Sequence, residues 1–139
     1  MGSGKTLLLI DDDSDFRASI VPLLEREGYL VLEAESGREG LRLLSQRHPD
    51  LIVLDIMLET TEQGYRVLEA IKLRKEYDRY RSIPIIMVSS ILDTPDERYY
   101  LQADGLFVQP DRYFTKPLDV PAFLEALKLM LGGREEPGG

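Results

Sequence analysis

The sequence predicts an α/β domain in which five strand–helix units surround a mostly parallel sheet. Strand-sized apolar runs recur along the chain, and longer stretches with helical spacing of apolar residues separate them. Two of these runs end in an acidic residue, where a strand would leave the core. With 139 residues, the chain has room for one domain with a real core and no second one.

The predicted strands are all short, and three of them are unbroken runs of mostly branched apolar residues. They cover residues 5–10, 29–34, 51–55, 84–89 and 112–115. Apolar runs of this length are typical of strands that are buried on both faces of a parallel sheet. The sheet is therefore expected to form the centre of the domain.

Start and stop signals locate the first three helices. Ser14 is the predicted N-cap of the first helix, and Gly28 ends that helix. The second helix is expected to end at His48-Pro49, because a residue before proline avoids helical backbone angles. The third is predicted to begin after Gly64, where apolar spacing starts, and residues 72–81 are predicted to extend it.

In the last third of the chain, the sequence signals for helices and strands are less clear. Thr94-Pro95-Asp96-Glu97 combines a capping hydroxyl, an N1 proline and an acid three residues after the cap, which predicts a helix start. Residues 104–112 are predicted to be loop, with a short strand over the apolar run 106–108 as the alternative. Asp119 is the predicted cap of the last helix. We therefore place the domain over residues 5–131, with an N-terminal tail over 1–4 and a flexible tail or linker over 132–139.

Composition excludes several classes of function. A formal net charge of −8 repels phosphates, so direct nucleic-acid binding is not expected. The absence of cysteine excludes thiol chemistry and cysteine-bound metals. The apolar runs are too short to span a membrane and no signal segment is visible, so we expect a cytoplasmic protein without membrane insertion.

Acidic residues follow the first and third predicted strands. Asp11 and Asp12 follow the first strand, and Asp55 closes the third. The carboxyl ends of parallel strands share one edge of a sheet, where α/β proteins bind ligands. Carboxylates meeting there would repel one another unless a hard cation such as Mg²⁺ joined them. Asp13 and Asp15 are instead expected to cap the next helix and to favour its dipole.

The fourth and fifth strands end in groups that complement these acids. Ser89-Ser90 follows the fourth strand, and Lys116-Pro117 follows the fifth. A hydroxyl and an ammonium are suited to binding the oxygens of a phosphoryl group. Singly each residue is ordinary, but acid, acid, hydroxyl and lysine in strand order indicate a site for phosphoryl chemistry.

The motifs LLLIDDD, DLIVLDIM, PIIMVSS and YFTKP resemble those of the receiver domain of two-component response regulators, in the same order. The resemblance covers residues 5–131. It implies a flavodoxin-like (βα)₅ fold, a doubly wound parallel sheet of strand order 2-1-3-4-5. It also implies that the domain receives a phosphoryl group on an aspartate from a sensor histidine kinase or a phosphotransfer protein.

The resemblance assigns a role to each site residue. Asp55 is the implied phosphoacceptor. Mg²⁺ is the implied cofactor, held by Asp11, Asp12, Asp55 and the backbone carbonyl of Met57, with Asp12 as the more direct ligand of the acidic pair. The implied catalytic hydroxyl and lysine and the implied switch aromatic are Ser89, Lys116 and Tyr113. The Lys116–Pro117 peptide is implied to be cis.

By the same resemblance the protein is a switch more than a turnover enzyme. It catalyses its own phosphorylation, slowly hydrolyses the product, and changes conformation at the face formed by helix 4, strand 5 and helix 5. Tyr113 has an alternative role as an ordinary half-buried strand tyrosine.

Three segments depart from the family pattern. The loop after Asp55, residues 58–64, lacks the usual proline and is about one residue longer. Residues 74–81 extend the third helix region, and the segment before the fifth strand is also longer. The output partner and a homodimer formed on phosphorylation are therefore left open. The alternative function is a receiver-like module that binds proteins without phosphorylation.

Overall fold

The computed structural model describes residues 4–55, 61–90, 101–103, 106–108 and 110–132. Its strands are β1 (Thr6–Ile10), β2 (Leu30–Ala34), β3 (Leu51–Asp55), β4 (Ile85–Ser90), β5 (Leu101–Ala103), β6 (Leu106–Val108) and β7 (Arg112–Lys116). Its helices are α1 (Ser14–Arg26), α2 (Gly37–Arg47), α3 (Thr61–Leu73) and α4 (Val120–Leu131), with a 3₁₀ helix over Lys75–Tyr80.

Five strands form one parallel sheet in the order β2-β1-β3-β4-β7. Because β7 is the fifth strand of this sheet along the chain, the predicted flavodoxin-like order 2-1-3-4-5 is confirmed. The order reverses at β1, which has β2 on one side and β3 on the other. The carboxyl ends of β1 and β3 are therefore neighbours at the edge where such folds bind ligands.

The core lies on both faces of the sheet, as the unbroken apolar runs predicted. In β1, Leu7 and Leu9 face one buried cluster, which includes side chains of α1 and α4. Leu8 and Ile10 face the other cluster, which includes side chains of α2, α3 and the 3₁₀ helix. This alternation follows from the two-residue period of a strand and leaves Leu7 to Ile10 buried between two helical layers.

The cap of α1 differs from the prediction. Asp13, not Ser14, is the N-cap, and its Oδ1 accepts hydrogen bonds from the backbone N–H groups of Asp15 at 3.0 Å and Phe16 at 3.2 Å. Ser14 is already the first helical residue, so the predicted cap was one position late. The predicted capping role of Asp13 is thereby confirmed. At the other end, Gly28 has φ +98°, a left-handed conformation that glycine adopts without strain.

The third helix was also predicted with the wrong limits. It begins at Thr61, so Gly64 lies inside it, and it ends at Leu73. Polar residues fill its first turn, and apolar spacing could not detect them. Arg74 then takes extended backbone angles, and the predicted helical extension is a separate 3₁₀ helix. That turn brings Tyr80 into the core, where only 4% of it is exposed.

The predicted loop over residues 104–112 contains a strand. Leu106–Val108 forms β6, which pairs antiparallel with β5 and places Leu101 opposite Val108. The prediction of a loop was wrong because a three-residue run indicates a strand only when its pairing partner is known. The helix predicted to start at Thr94 lies outside the described residues. Among the helices of the described ranges, none combines the length and the apolar character needed to cross a membrane.

Candidate functional site

Three carboxylates meet at the carboxyl edge of the sheet. Asp11 follows β1 and Asp55 ends β3, and these two residues are 1% and 5% exposed, whereas Asp12 is exposed. One carboxylate oxygen from each of the three lies within 4.8 Å of the others. The strand ends thus bring together the acids that the sequence placed there, in a geometry that could hold a metal ion.

Lys116 brings the compensating charge from the end of β7. Its Nζ lies 3.1 Å from Oδ2 of Asp11 and 4.0 Å from Oδ1 of Asp55. Only 19% of the Lys116 side chain is exposed. The peptide that follows it, Lys116–Pro117, is cis, as the resemblance implied. The site therefore holds three acids and one ammonium at the carboxyl ends of β1, β3 and β7.

Contacts from the start of α1 hold Asp11 in place. Oδ1 of Asp11 accepts a hydrogen bond from the Asp13 N–H at 2.9 Å. Arg17 donates from Nη1 to the backbone oxygen of Asp11. The Nε of Arg17 also pairs with Oε1 of Glu33 in β2 at 3.1 Å. Arg17 thus ties the end of β1 to the neighbouring strand.

Burial and neighbouring charges together shift the pKa of Asp12. Partial burial of its carboxyl raises the pKa of Asp12 above the ordinary value, and the charge of Asp11 adds to the increase. Lys116 acts in the opposite direction and lowers that pKa. Protons and divalent cations therefore compete for the Asp12 carboxylate, which is repelled by its acidic neighbours.

Ser89 supplies a buried hydroxyl on β4. The residue is fully buried, and its Oγ has no hydrogen-bond partner among the residues that the structure describes. An unpaired buried hydroxyl is unfavourable, so a ligand oxygen at this position would be stabilised. On the adjacent strand Tyr113 is half-buried, lies opposite Met87 and packs against the core cluster beneath α3. Met57 lies outside the described residues.

Phe16 and Arg17 were missed as site residues by the sequence reasoning, which used Phe16 only as an apolar position of the first helix. Both lie in the first turn of α1, directly after the acidic run. Proximity to that run was the signal that could have found them. Lys116 Nζ lies over the Phe16 ring, 4.2 Å from its centroid.

The model of the response regulator receiver domain family matches residues 7–128. The chain belongs to this family. Receiver domains of two-component response regulators are switch domains in phosphorelay signalling, and they are not classical enzymes. The resemblance to receiver domains is therefore confirmed, and the acidic cluster lies in a domain of that family.

Curated relatives agree with this assignment. The polar-differentiation response regulator DivK of Brucella ovis is 32% identical over 128 residues, which are 92% of this chain and 97% of DivK. The probable transcriptional regulator ycf27 of Cyanophora paradoxa is 36% identical over 134 residues, 96% of this chain but 51% of that protein. The chain therefore matches DivK over nearly the whole length of that protein, and it matches ycf27 over about half of that protein's length.

Solved structures share the fold. The chemotaxis response regulator CheY4 of Vibrio cholerae has a TM-score of 0.75 at 23% identity, and the match covers 93% of this chain and 100% of CheY4. The signal receiver domain of a signal transduction histidine kinase from Syntrophus aciditrophicus also has a TM-score of 0.75, at 25% identity, covering 96% and 94% of the two chains.

Proposed function

We propose that this receiver domain accepts a phosphoryl group on Asp55, in a reaction that requires Mg²⁺. The donor is a phosphohistidine on a sensor histidine kinase or a phosphotransfer protein. The observation that carries the proposal is the position of Asp55. Its side chain is buried, and its carboxylate lies within 4.8 Å of two further carboxylates and 4.0 Å from the ammonium of Lys116. A nucleophilic carboxylate, a metal-binding acid pair and a cation are the components that phosphoryl transfer needs.

The donor set fits Mg²⁺. Asp11, Asp12 and Asp55 offer hard oxygen ligands with three negative charges, of which Lys116 neutralises one. The Met57 carbonyl is the further ligand that the family pattern implies. When bound, Mg²⁺ supplies charge neutralisation and orientation for phosphoryl oxygens.

In the proposed step, an Asp55 carboxylate oxygen attacks the phosphorus of the phosphohistidine in line with the leaving nitrogen. The oxygen–phosphorus bond forms while the phosphorus–nitrogen bond breaks, and the histidine leaves with its electron pair. Lys116 neutralises charge on the transferred group, and the Ser89 hydroxyl donates to one of its oxygens. Water later attacks the same phosphorus slowly, the bond between phosphorus and the Asp55 oxygen breaks, and inorganic phosphate leaves the free Asp55 carboxylate behind.

The proposed switch uses Ser89 and Tyr113. Movement of Ser89 toward the new phosphoryl group opens space on β4, and Tyr113 on the paired strand β7 turns inward to fill it. Phosphorylation thereby shifts an existing equilibrium at the face that the fourth helix, fifth sheet strand and fifth helix of the family fold form; β7 and α4 are that strand and that fifth helix in this structure. We place the protein in the cytoplasm, where it acts on an output partner or as a homodimer.

The second candidate is a receiver-like module that binds proteins without being phosphorylated. The joint presence of Asp55, Asp12 and Lys116 in one cluster favours the phosphorylated switch, because a binding module has no need for acids that repel one another. Mg²⁺-dependent binding of a phosphoryl mimic is expected for the switch and not for the module.

Intact-mass measurement after incubation with acetyl phosphate and Mg²⁺, followed by an acid quench, tests the proposal. A single phosphoryl adduct is expected in the wild-type protein, and chelation of Mg²⁺ or the Asp55→Asn substitution should abolish it. Asp15→Asn is the matched control, since Asp15 is an exposed acid outside the cluster, in the first turn of α1. No adduct at early times would favour the interaction module, whereas an equal adduct in Asp55→Asn would rule out Asp55 as the phosphoacceptor.

A further inference from the structure

Phe16 presents the face of its aromatic ring to the ammonium of Lys116. The Nζ atom lies 4.2 Å from the ring centroid. The same atom is 3.1 Å from Oδ2 of Asp11 and 4.0 Å from Oδ1 of Asp55. An aromatic face attracts a cation, and the attraction grows when the cation is partly removed from water. The Phe16 ring and the carboxylates of Asp11 and Asp55 therefore all lie close to the ammonium.

We propose that Phe16 is a positioning residue for phosphoryl transfer, acting through Lys116. This inference rests on the proposed function, because it assigns Phe16 to the same reaction. A lysine side chain has a flexible stem and loses much rotamer freedom when it is fixed. The Phe16 ring restricts that freedom before the reaction begins. It keeps Nζ next to Asp55, where the negative charge of the transferred group will develop.

The ring is itself well anchored. The Phe16 N–H donates to the capping carboxylate of Asp13 at 3.2 Å, which fixes the first turn of α1. The side chain is partly buried and packs against the apolar cluster that includes α1 and α4. The acidic run that supplies the metal ligands therefore also fixes the helix that carries Phe16.

Phosphorylation rates of matched variants test this role. Phe16→Leu retains an apolar side chain but removes the aromatic face, whereas Phe16→Tyr retains the face. Initial rates of adduct formation from acetyl phosphate and Mg²⁺ are measured by intact mass. We expect Phe16→Leu to be roughly three- to tenfold slower than wild type, and Phe16→Tyr to remain within about twofold of it. Phe123→Leu is the structural control, since Phe123 is a core aromatic of the same apolar cluster.

A spectroscopic measurement reports the contact without any phosphorylation. In proton–carbon NMR spectra, the ring current of Phe16 should shift the Lys116 ε-methylene protons upfield in wild type and in Phe16→Tyr. The shift should disappear in Phe16→Leu and persist in Phe123→Leu.

Several results would overturn the proposal. They are a wild-type rate in Phe16→Leu, an equal loss in Phe16→Tyr, an equal loss in Phe123→Leu, or a methylene shift that survives the loss of the ring. Absence of any adduct in wild type would instead remove the proposed function, and the methylene shift would still decide whether Phe16 holds Lys116.

Discussion

Replacing Asp12 by Asn should stabilise the metal-free protein. One Asp12 carboxylate oxygen lies within 4.8 Å of oxygens from Asp11 and Asp55. Two unit charges at that separation repel by about 0.9 kcal/mol in a medium with the dielectric constant of water, which is the appropriate limit for an exposed residue. Two such partners give about 2 kcal/mol, and the attraction of Lys116 offsets part of it. We therefore expect the free energy of unfolding to rise by about 1 kcal/mol.

Mg²⁺ should reverse this order. At about a hundred times its Kd, a ligand that binds only the folded state adds about 2.7 kcal/mol to the free energy of unfolding. Wild type should gain this amount, whereas Asp12→Asn should gain much less because it lacks one ligand. Urea unfolding followed by circular dichroism, in EDTA and in excess Mg²⁺, measures both effects.

Asp15→Asn is the control for the loss of one negative charge. Asp15 lies in the first turn of α1, where an acid favours the helix dipole, so its loss should be neutral or slightly destabilising. The reasoning is refuted if Asp12→Asn in EDTA is no more stable than Asp15→Asn. It is also refuted if Mg²⁺ stabilises Asp12→Asn as much as wild type.

Three further predictions concern packing, pH and the buried hydroxyl. Gly40→Ala should lower the free energy of unfolding by up to about 2 kcal/mol, because its Cβ would clash with Cδ1 of Ile10 and lie 2.8 Å from Cγ1, and this overpacking outweighs a helix-propensity gain of about 1 kcal/mol. Urea unfolding should show partial rescue by Ile10→Val, which removes Cδ1, and a stabilised Gly40→Ala would contradict the account. The pKa of Asp12 in the folded protein is raised above 3.8, so protonated Asp12 favours the metal-free folded state at low pH, and this stabilisation is lost as pH rises through the raised pKa. The gain in free energy of unfolding from Asp12→Asn in EDTA should therefore shrink as pH falls through that range, and a gain that grows as pH falls would contradict the account. Ser89→Ala should leave the free energy of unfolding of the metal-free protein equal or higher, since it removes a buried hydroxyl that has no hydrogen-bond partner in the described part of the chain. The same substitution should slow phosphorylation by acetyl phosphate, and a clear loss of stability would imply that the Ser89 hydroxyl has a hydrogen-bond partner.

The sheet was predictable because its information is local. The central strands β1, β3 and β4 are short apolar runs whose two faces are both buried, so predicting Leu7 to Ile10 as a strand needed no knowledge of the partner strands. The acidic cluster was predictable for a related reason. Parallel strands end at one edge, so Asp11 and Asp55 had to approach each other once the strand order placed β1 beside β3.

The remaining features depend on contacts between distant residues. Leu106–Val108 is a strand because Leu101–Ala103 pairs with it, and its own three residues do not distinguish a strand from a packed loop. The cation–π contact joins Phe16 to Lys116, which are brought together by the fold, so spacing could not indicate it. Asp13 and Ser14 are both good capping residues, and backbone geometry decides between them.

The central claim, that Asp55 receives the phosphoryl group, is tested most directly by locating the modification. Borohydride reduces an aspartyl phosphate to homoserine, which peptide mass mapping can assign to a position in the chain. After incubation with acetyl phosphate and Mg²⁺, the account predicts homoserine at position 55 and unmodified Asp11 and Asp12. Homoserine at either of those residues, or at no residue, would contradict it.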